Sequence, residues 1–297
     1  MTNYPKRKYE LIMNKSKIKI VLAGTPNFAV PVFEEVIKNF NVIAIISQPD
    51  KPANRGYKLK TTPTKLLAQK YNLKLFQPVK IAEIYEELKD LNYDILLTCA
   101  FGQYIPTKVL DLAKIASINI HGSLLPKYRG AAPIQHSLWN GETQTGITLI
   151  YMTKEMDAGQ MIFKASIPIL DSDTSDSLFL KISNLAKENI SNWLIKLINN
   201  QISPEVQDES LVTLAPKLLK EDAILDSNLT KLAAFNKIRA YSSNPGCYLY
   251  LNQKRVKIFY ASKHKIPNAL ELKFSDGSLY ALDYQFESKK RVKLNYK

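Results

Sequence analysis

The sequence predicts an α/β protein: an open, mostly parallel sheet covered on both faces, followed by a small basic β domain. Three observations carry this. Short apolar runs alternate with segments of helical spacing from about Lys17 to Gln201. A stretch without period and with two prolines then interrupts the pattern, and alternating strand-like segments follow it. Charge is divided the same way. The chain carries +14 overall, but residues 1–19 hold +5 and residues 227–297 hold +10, leaving −1 for everything between.

Taken in order, "IKIVLAG" (Ile18–Gly24) reads as a buried strand ended by Gly-Thr-Pro, and "FAVPVFEEVIKNF" follows with helical spacing. "VIAIIS" (Val42–Ser47), "DILLTCA" (Asp94–Ala100) and "IASINI" (Ile115–Ile120) repeat the buried-strand pattern with helix-like segments between them. Continuous apolar strands are those of a sheet covered on both faces. In such sheets the site lies beyond the carboxyl ends of the strands. After the helix-like Asp176–Gln201, "ISPEVQDESLVTLAPKL" reads as a linker. "LTKLAAFNKIRAY" reads as a helix, and two hairpins follow, turning at "LNQKRV" and at Asp276-Gly277. The expected divisions are an extension over 1–16, the α/β domain over 17–201, a linker over 202–222 and the basic domain over 223–297.

Composition excludes several classes. No run approaches the roughly 18 apolar residues of a membrane span. The basic start "MTNYPKRKYELIMNKSK" lacks the apolar core of a secretory signal. Two distant cysteines, Cys99 and Cys247, and no ligand spacing predict reduced thiols, no metal and a cytoplasmic protein. "LAGTPNFAV" is not a dinucleotide-binding GxGxxG, and "HGSLL" lacks the frame of a serine nucleophile. The concentrated positive charge of the C-terminal segment points to a polyanion, nucleic acid foremost.

The chemistry is expected in "SINIHGSLLPKYRGAAPIQHSLWNG" (Ser117–Gly141). At period two, Asn119 and His121 share one face at the carboxyl end of a strand. The amide can donate to an oxyanion and the imidazole can carry a proton near neutral pH. Two adjacent polar groups on one sheet face are costly unless they are partnered. Pro126 and Gly130 favour a fixed loop behind them. A third group to orient the imidazole is found in "TGITLIYMTKEMDAGQMIF", where Asp157 precedes Ala158-Gly159. An Asp in a turn is ordinarily a cap, and it gains weight only beside Asn119 and His121. His136, on a predicted helix, and His264, between two lysines, read as structural and surface residues.

"NIHGSLLPKYRGAAPI" followed by "MDAGQMI" resembles the methionyl-tRNA formyltransferase family. "LAGTPNFAV", "ISQPDKPANRGYKLKTTPTKLLA", "FQPVKI", "TCAFGQYIP", "LWNGETQTGITL", "PEVQDESLVTLAPKLLKEDAILD" and "IRAY" extend the likeness from about Lys17 to Tyr250. The resemblance implies a Rossmann-like formyltransferase domain and a C-terminal domain like an OB-fold barrel. It implies 10-formyltetrahydrofolate as formyl donor, no metal, and methionyl-tRNA as acceptor, handled by a monomer. It assigns Asn119, His121 and Asp157 to catalysis and Ser123, Leu124, Leu125 and Pro126 to the folate pocket. "PDKPANRGYKLK" (Pro49–Lys60) matches the family's loop toward the tRNA acceptor end, which gives Arg55, Lys58 and Lys60 to tRNA.

The sequence departs from the family at "YSSNPGCY" (Tyr241–Tyr248), in a shorter C-terminus and in the segment before Asn14, with translation expected to begin at Met13. Two other readings stay open at this stage. A glycinamide ribonucleotide formyltransferase would use the same three residues but would need neither the basic domain nor the Pro49–Lys60 loop. A catalytically idle RNA-binding module would explain the charge and make the spacing of the three residues an accident.

Overall fold

A computed structural model describes residues 17–52 and 59–294 of the chain. Nine strands occupy the first part: β1 (Lys19–Gly24), β2 (Asn41–Ile46), β3 (Lys51–Pro52), β4 (Leu59–Lys60), β5 (Lys74–Phe76), β6 (Ile95–Cys99), β7 (Ala116–His121), β8 (Gln144–Tyr151) and β9 (Met161–Pro168). Seven of them form one sheet in the order β5–β2–β1–β6–β7–β8–β9. The pairs from β5 to β7 are parallel, and β8 runs antiparallel to β7. β3 and β4 form a separate antiparallel ribbon, with Lys51 opposite Lys60.

The apolar runs become strands because both faces are covered. Every residue of β6 is buried, as is every residue of β1 after Lys19. The helix Ala29–Asn39 buries Ala29, Val32, Phe33 and Val36, an i, i+3, i+4, i+7 stripe. The helix Pro63–Lys70 begins with proline in its first turn, and the Thr62 hydroxyl caps the Lys65 amide. Val21, Ala23, Ile46, Leu88, Tyr93 and Leu96 belong to one core cluster. Burial also pushes the Tyr93 phenol up to about 12.

Strand order reverses between β1 and β6, the switch point at which α/β sheets open a crevice. Gly24 closes β1 there. A Cβ on it would lie 2.6 Å from the Cys99 carbonyl oxygen, so the close approach of the two strand ends needs glycine.

The chain divides into two compact units. One takes the chain up to Arg129 with Gly146–Ala165 and Ile182–Val212. The other takes Gly130–Thr145, Ser166–Lys181 and Thr213 onward. Part of the stretch expected as a linker thus falls in the first unit. Glu205 and Met161 exchange backbone hydrogen bonds of 2.8 Å, and Gln207 is buried.

In the second unit β10 (Cys247–Leu251), β11 (Lys254–Ser262), β12 (Leu270–Phe274), β13 (Gly277–Phe286) and β14 (Val292–Lys293) make an antiparallel sheet ordered β10–β11–β13–β12, with β14 on β13. Asn252 and Gln253 turn the first hairpin with φ of 47° and 62°, as a two-residue primed turn requires. The second hairpin turns at Ser275-Asp276. The altered Tyr241–Tyr248 segment is well packed: Tyr241 is fully buried with its ring edge-on to Trp139 at 5.5 Å, and Ser175 donates to the Ser242 carbonyl.

Candidate active site

On β7 the pleat sends Ile118 and Ile120 into the core and Asn119 and His121 to the opposite face. Parallel register with β6 puts Thr98 beside Asn119. The Thr98 hydroxyl donates to Asn119 Oδ1 at 2.7 Å, which fixes the amide with its N–H side toward Asp157. Asn119 Nδ2 lies 3.4 Å from Asp157 Oδ1.

His121 is 5% exposed, and both ring nitrogens face oxygen. Nε2 lies 2.8 Å from the Tyr128 carbonyl and Nδ1 lies 3.4 Å from Asp157 Oδ2. A carbonyl only accepts, so Nε2 carries hydrogen in this contact. The loop after β7 curls back to supply that carbonyl, and Tyr128 takes a left-handed conformation, φ 65°, to aim it. Buried Thr148 of β8 pins the loop, donating to Ser123 O at 2.7 Å and accepting from Leu125 N at 3.1 Å.

Asp157 reaches the site by a route the sequence does not announce. β8 is antiparallel to β7, so the chain leaves it beside Ser117, where Met152 N donates to Ser117 O at 2.8 Å. The loop then folds back over the sheet face to bring its carboxylate against Asn119 and His121. Asp157 is itself left-handed at φ 56°. Two residues on, a Cβ at Gly159 would lie 1.9 Å from the Tyr151 carbonyl oxygen, so only glycine permits this crossing.

Asn119 and Asp157 line a recess of about 70 Å³, walled by Ile105, Ile150 and Met152, with Tyr104 (59% exposed) and Met156 (66% exposed) at its rim. Of the residues the resemblance gives to folate, Ser123 and Leu125 are buried and Leu124 and Pro126 half-buried. Leu125 packs with Ile150, a wall of the recess, and Met161, while the Ser123 hydroxyl donates to Lys127 O at 2.7 Å. None of the four lines the recess itself. Tyr104, Met152, Met156 and the Tyr128 carbonyl had no signal in the sequence that singled them out.

A second opening, about 190 Å³, lies at the ends of β1 and β2, lined by Thr25, Gln48, Pro49 and Pro52 with Lys51 and Lys60. Lys60 is exposed. Arg55 and Lys58 lie outside the described residues. Beneath this opening Ser47, Thr62 and Thr64 form a buried hydroxyl cluster. Ser47 and Thr62 are 2.7 Å apart, and Thr64 donates to Ser47 at 2.9 Å and to the Gly24 carbonyl at 2.8 Å.

The other histidines and both cysteines line neither opening. His136 Nε2 meets the Pro216 carbonyl at 2.9 Å and its ring stacks on Trp139, while His264 is exposed. Both cysteines are buried, and burial pushes both thiols far above their ordinary value. Among the described residues no group of three or more His, Cys, Asp or Glu is placed to hold a metal, and no helix is long and apolar enough to cross a membrane.

A doubly wound sheet thus carries an amide and a carboxylate at a recess with a buried imidazole against that carboxylate, and comparison with known proteins gives the family. The family model described as formyl transferase matches residues 16–194, and that for the formyl transferase C-terminal domain matches residues 217–295. The methionyl-tRNA formyltransferase of Mycoplasmopsis pulmonis is 55% identical over 94% of this chain and 97% of its own. That of Mycoplasma capricolum is 42% identical over 94% of this chain and 93% of its own. Among solved structures, the sugar 3N-formyl transferase WlaRD, crystallised with dTDP and 5-N-formyl-THF, superposes with a TM-score of 0.68 at 23% identity, covering 92% of this chain and 99% of that one. HypX of Aquifex aeolicus in complex with tetrahydrofolic acid gives 0.64 at 18%, covering 93% of this chain and 45% of that one. The chain belongs to the formyl transferase family, on the branch of the methionyl-tRNA formyltransferases.

Proposed function

We propose that this protein transfers the formyl group of 10-formyltetrahydrofolate to the α-amino group of methionyl-tRNA, with Asn119, His121 and Asp157 as its catalytic residues. The observation that carries the assignment is their convergence: one carboxylate stands 3.4 Å from both the amide and the imidazole, beside an opening. The α-amine attacks the formyl carbon and negative charge develops on the formyl oxygen. Asn119, its Oδ1 already engaged by Thr98, presents N–H to that oxygen, and His121, whose Nε2 hydrogen is held by the Tyr128 carbonyl, adds a second donor through Nδ1 in its doubly protonated form. Asp157 receives the proton the amine sheds as the new C–N bond forms. Collapse of the tetrahedral species breaks the bond to folate N10, which takes a proton in return. Contacts of 3.4 Å are long, as catalytic hydrogen bonds often are before substrate arrives.

The recess suits the donor's reacting end. It has apolar walls for a flat ring and residues 152–157 along one side. At about 70 Å³ it takes only that end, leaving Tyr104 and Met156 to flank the remainder. Residues 17–201 carry the chemistry in this reading, with Gln207 of the following stretch packed against the Asp157 turn, and residues 223–297 hold tRNA phosphate through their excess of Lys and Arg. Arg55, Lys58 and Lys60 meet the acceptor end, and Ser123–Pro126 back the folate site. The enzyme works as a monomer in the cytoplasm.

One assay tests the proposal. The full chain is given the folate donor with methionyl-tRNA, glycinamide ribonucleotide or a dTDP-amino sugar. Formyl transfer to methionyl-tRNA alone is expected. Transfer to either small acceptor in preference, or binding of uncharged tRNA with no transfer to any of them, would overturn it. Light scattering that shows a dimer would correct the monomer.

A further inference from the structure

Beside the three reacting groups the first unit holds a buried polar bridge that the chemistry does not use directly. Gln207 is 4% exposed. Its Nε2 donates to two carbonyls of one turn, Asp157 O at 2.7 Å and Gly159 O at 2.8 Å. Its Oε1 accepts from Arg129 Nε at 2.9 Å. Arg129, 9% exposed, then forks onto Glu209, Nη2 to Oε1 at 2.7 Å and Nη1 to Oε2 at 3.2 Å. All the side chain's hydrogen-bonding groups are thus committed to one geometry.

The two ends of this bridge matter. Arg129 follows Tyr128, whose carbonyl orients His121. Gln207 grips the turn that carries Asp157. Tyr128 and Asp157 are both left-handed non-glycine residues, conformations that persist only where surrounding contacts hold them. A single guanidinium–amide pair therefore ties the backbone that aims the imidazole to the backbone that aims the carboxylate.

We infer that Gln207, braced by Arg129, is a positioning residue that sets the distance between Asp157 and the His121–Asn119 pair, and so controls the rate of formyl transfer without touching substrate. The inference rests on Asp157 being the proton-accepting carboxylate proposed above. The amide is required because only a neutral side chain of this length both donates to two carbonyls and accepts from a guanidinium. Gln207→Glu keeps the contact to Arg129 but turns an acceptor toward Asp157 O and Gly159 O.

The test is a double-mutant cycle on the full chain, read as kcat and as KM for 10-formyltetrahydrofolate with methionyl-tRNA as acceptor. Gln207→Ala and Gln207→Glu are each expected to lower kcat by roughly 10- to 100-fold, the scale of an ångström-sized misplacement, while KM for the donor stays within about two-fold. In an Asp157→Ala background, Gln207→Ala is expected to change the residual rate by less than about two-fold, because the group it positions is gone. The same fractional loss in both backgrounds would mean a general packing role and overturn the inference. So would an unchanged kcat in Gln207→Ala while Asp157→Ala is crippled. If Asp157→Ala itself retains full activity, the catalytic assignment fails instead. Should Gln207→Ala not fold, Gln207→Glu, of nearly equal volume, carries the comparison in both backgrounds with the same criteria.

Discussion

Two openings on the same unit, one at the ends of β1 and β2 and one over β7, are built on opposite principles. Under the first, the hydroxyls of Ser47, Thr62 and Thr64 are bonded at 2.7–2.9 Å to one another and to the Gly24 carbonyl. Over the second, Asn119 and His121 stand 3.4 Å from Asp157, with slack in each contact. The hydroxyl cluster is bonded within itself and to the end of β1. The trio beside the recess is held in place from behind, by Thr98 and the Tyr128 carbonyl, while its front contacts remain long. In the proposed reading, rigidity behind and slack in front set the Asn119, His121 and Asp157 site apart from the structural cluster.

The sharpest way to break this contrast is Asn119→Ala. Loss of one oxyanion donor is expected to lower kcat by roughly 10²–10³-fold and to leave KM for the folate donor nearly unchanged. Equal losses in both constants would make Asn119 a binding residue. A smaller effect is expected at the other opening. Lys51→Ala with Lys60→Ala should reduce kcat/KM for methionyl-tRNA by about ten-fold and make its salt dependence shallower by up to about two in slope, the change expected for two lost phosphate contacts. An unaltered salt slope would return both lysines to solvent.

Ser47→Ala separates structure from catalysis at the same place. It strips a partner from Thr62 and Thr64 and should cost about 1–2 kcal/mol of stability by denaturant unfolding, with kcat unaffected. A large loss of kcat at unchanged stability would make the hydroxyl cluster part of the site. The smallest effect concerns acid. Hydrogen bonding from Arg129 holds the Glu209 carboxyl below its ordinary value. A depressed folded value means the contribution is complete above the unfolded pKa and disappears as pH falls through the folded one. Glu209→Gln should therefore flatten the acid side of the stability profile slightly and leave the profile above about pH 5 parallel to wild type. A change confined to alkaline pH would contradict that sign.

Much of the frame was legible because it is periodic. The apolar runs at Lys19–Gly24 and Ile95–Cys99 read as strands of a covered sheet, and a period of two puts Asn119 and His121 on one face. The carboxylate was harder to read. Asp157 lies in an aperiodic loop, and nothing local says that β8 is antiparallel to β7 or that the loop folds back over the face. Without the resemblance it was one turn aspartate among several. The Tyr128 carbonyl was invisible in principle, since every residue has one and only the fold decides which is aimed at an imidazole. Gln207 was obscured by its setting: it lies in a proline-flanked, irregular stretch that reads as a connector, yet the structure buries it against a turn 48 to 50 residues earlier.

Gly159 carries the Asp157 turn past a strand with no room for even one methyl group, because the Tyr151 oxygen already occupies that space. Every base change that alters this codon's meaning therefore ends in collision. Variation has to spare that crossing and fall instead at the rim, where Tyr104 and Met156 are exposed and new side chains meet little resistance.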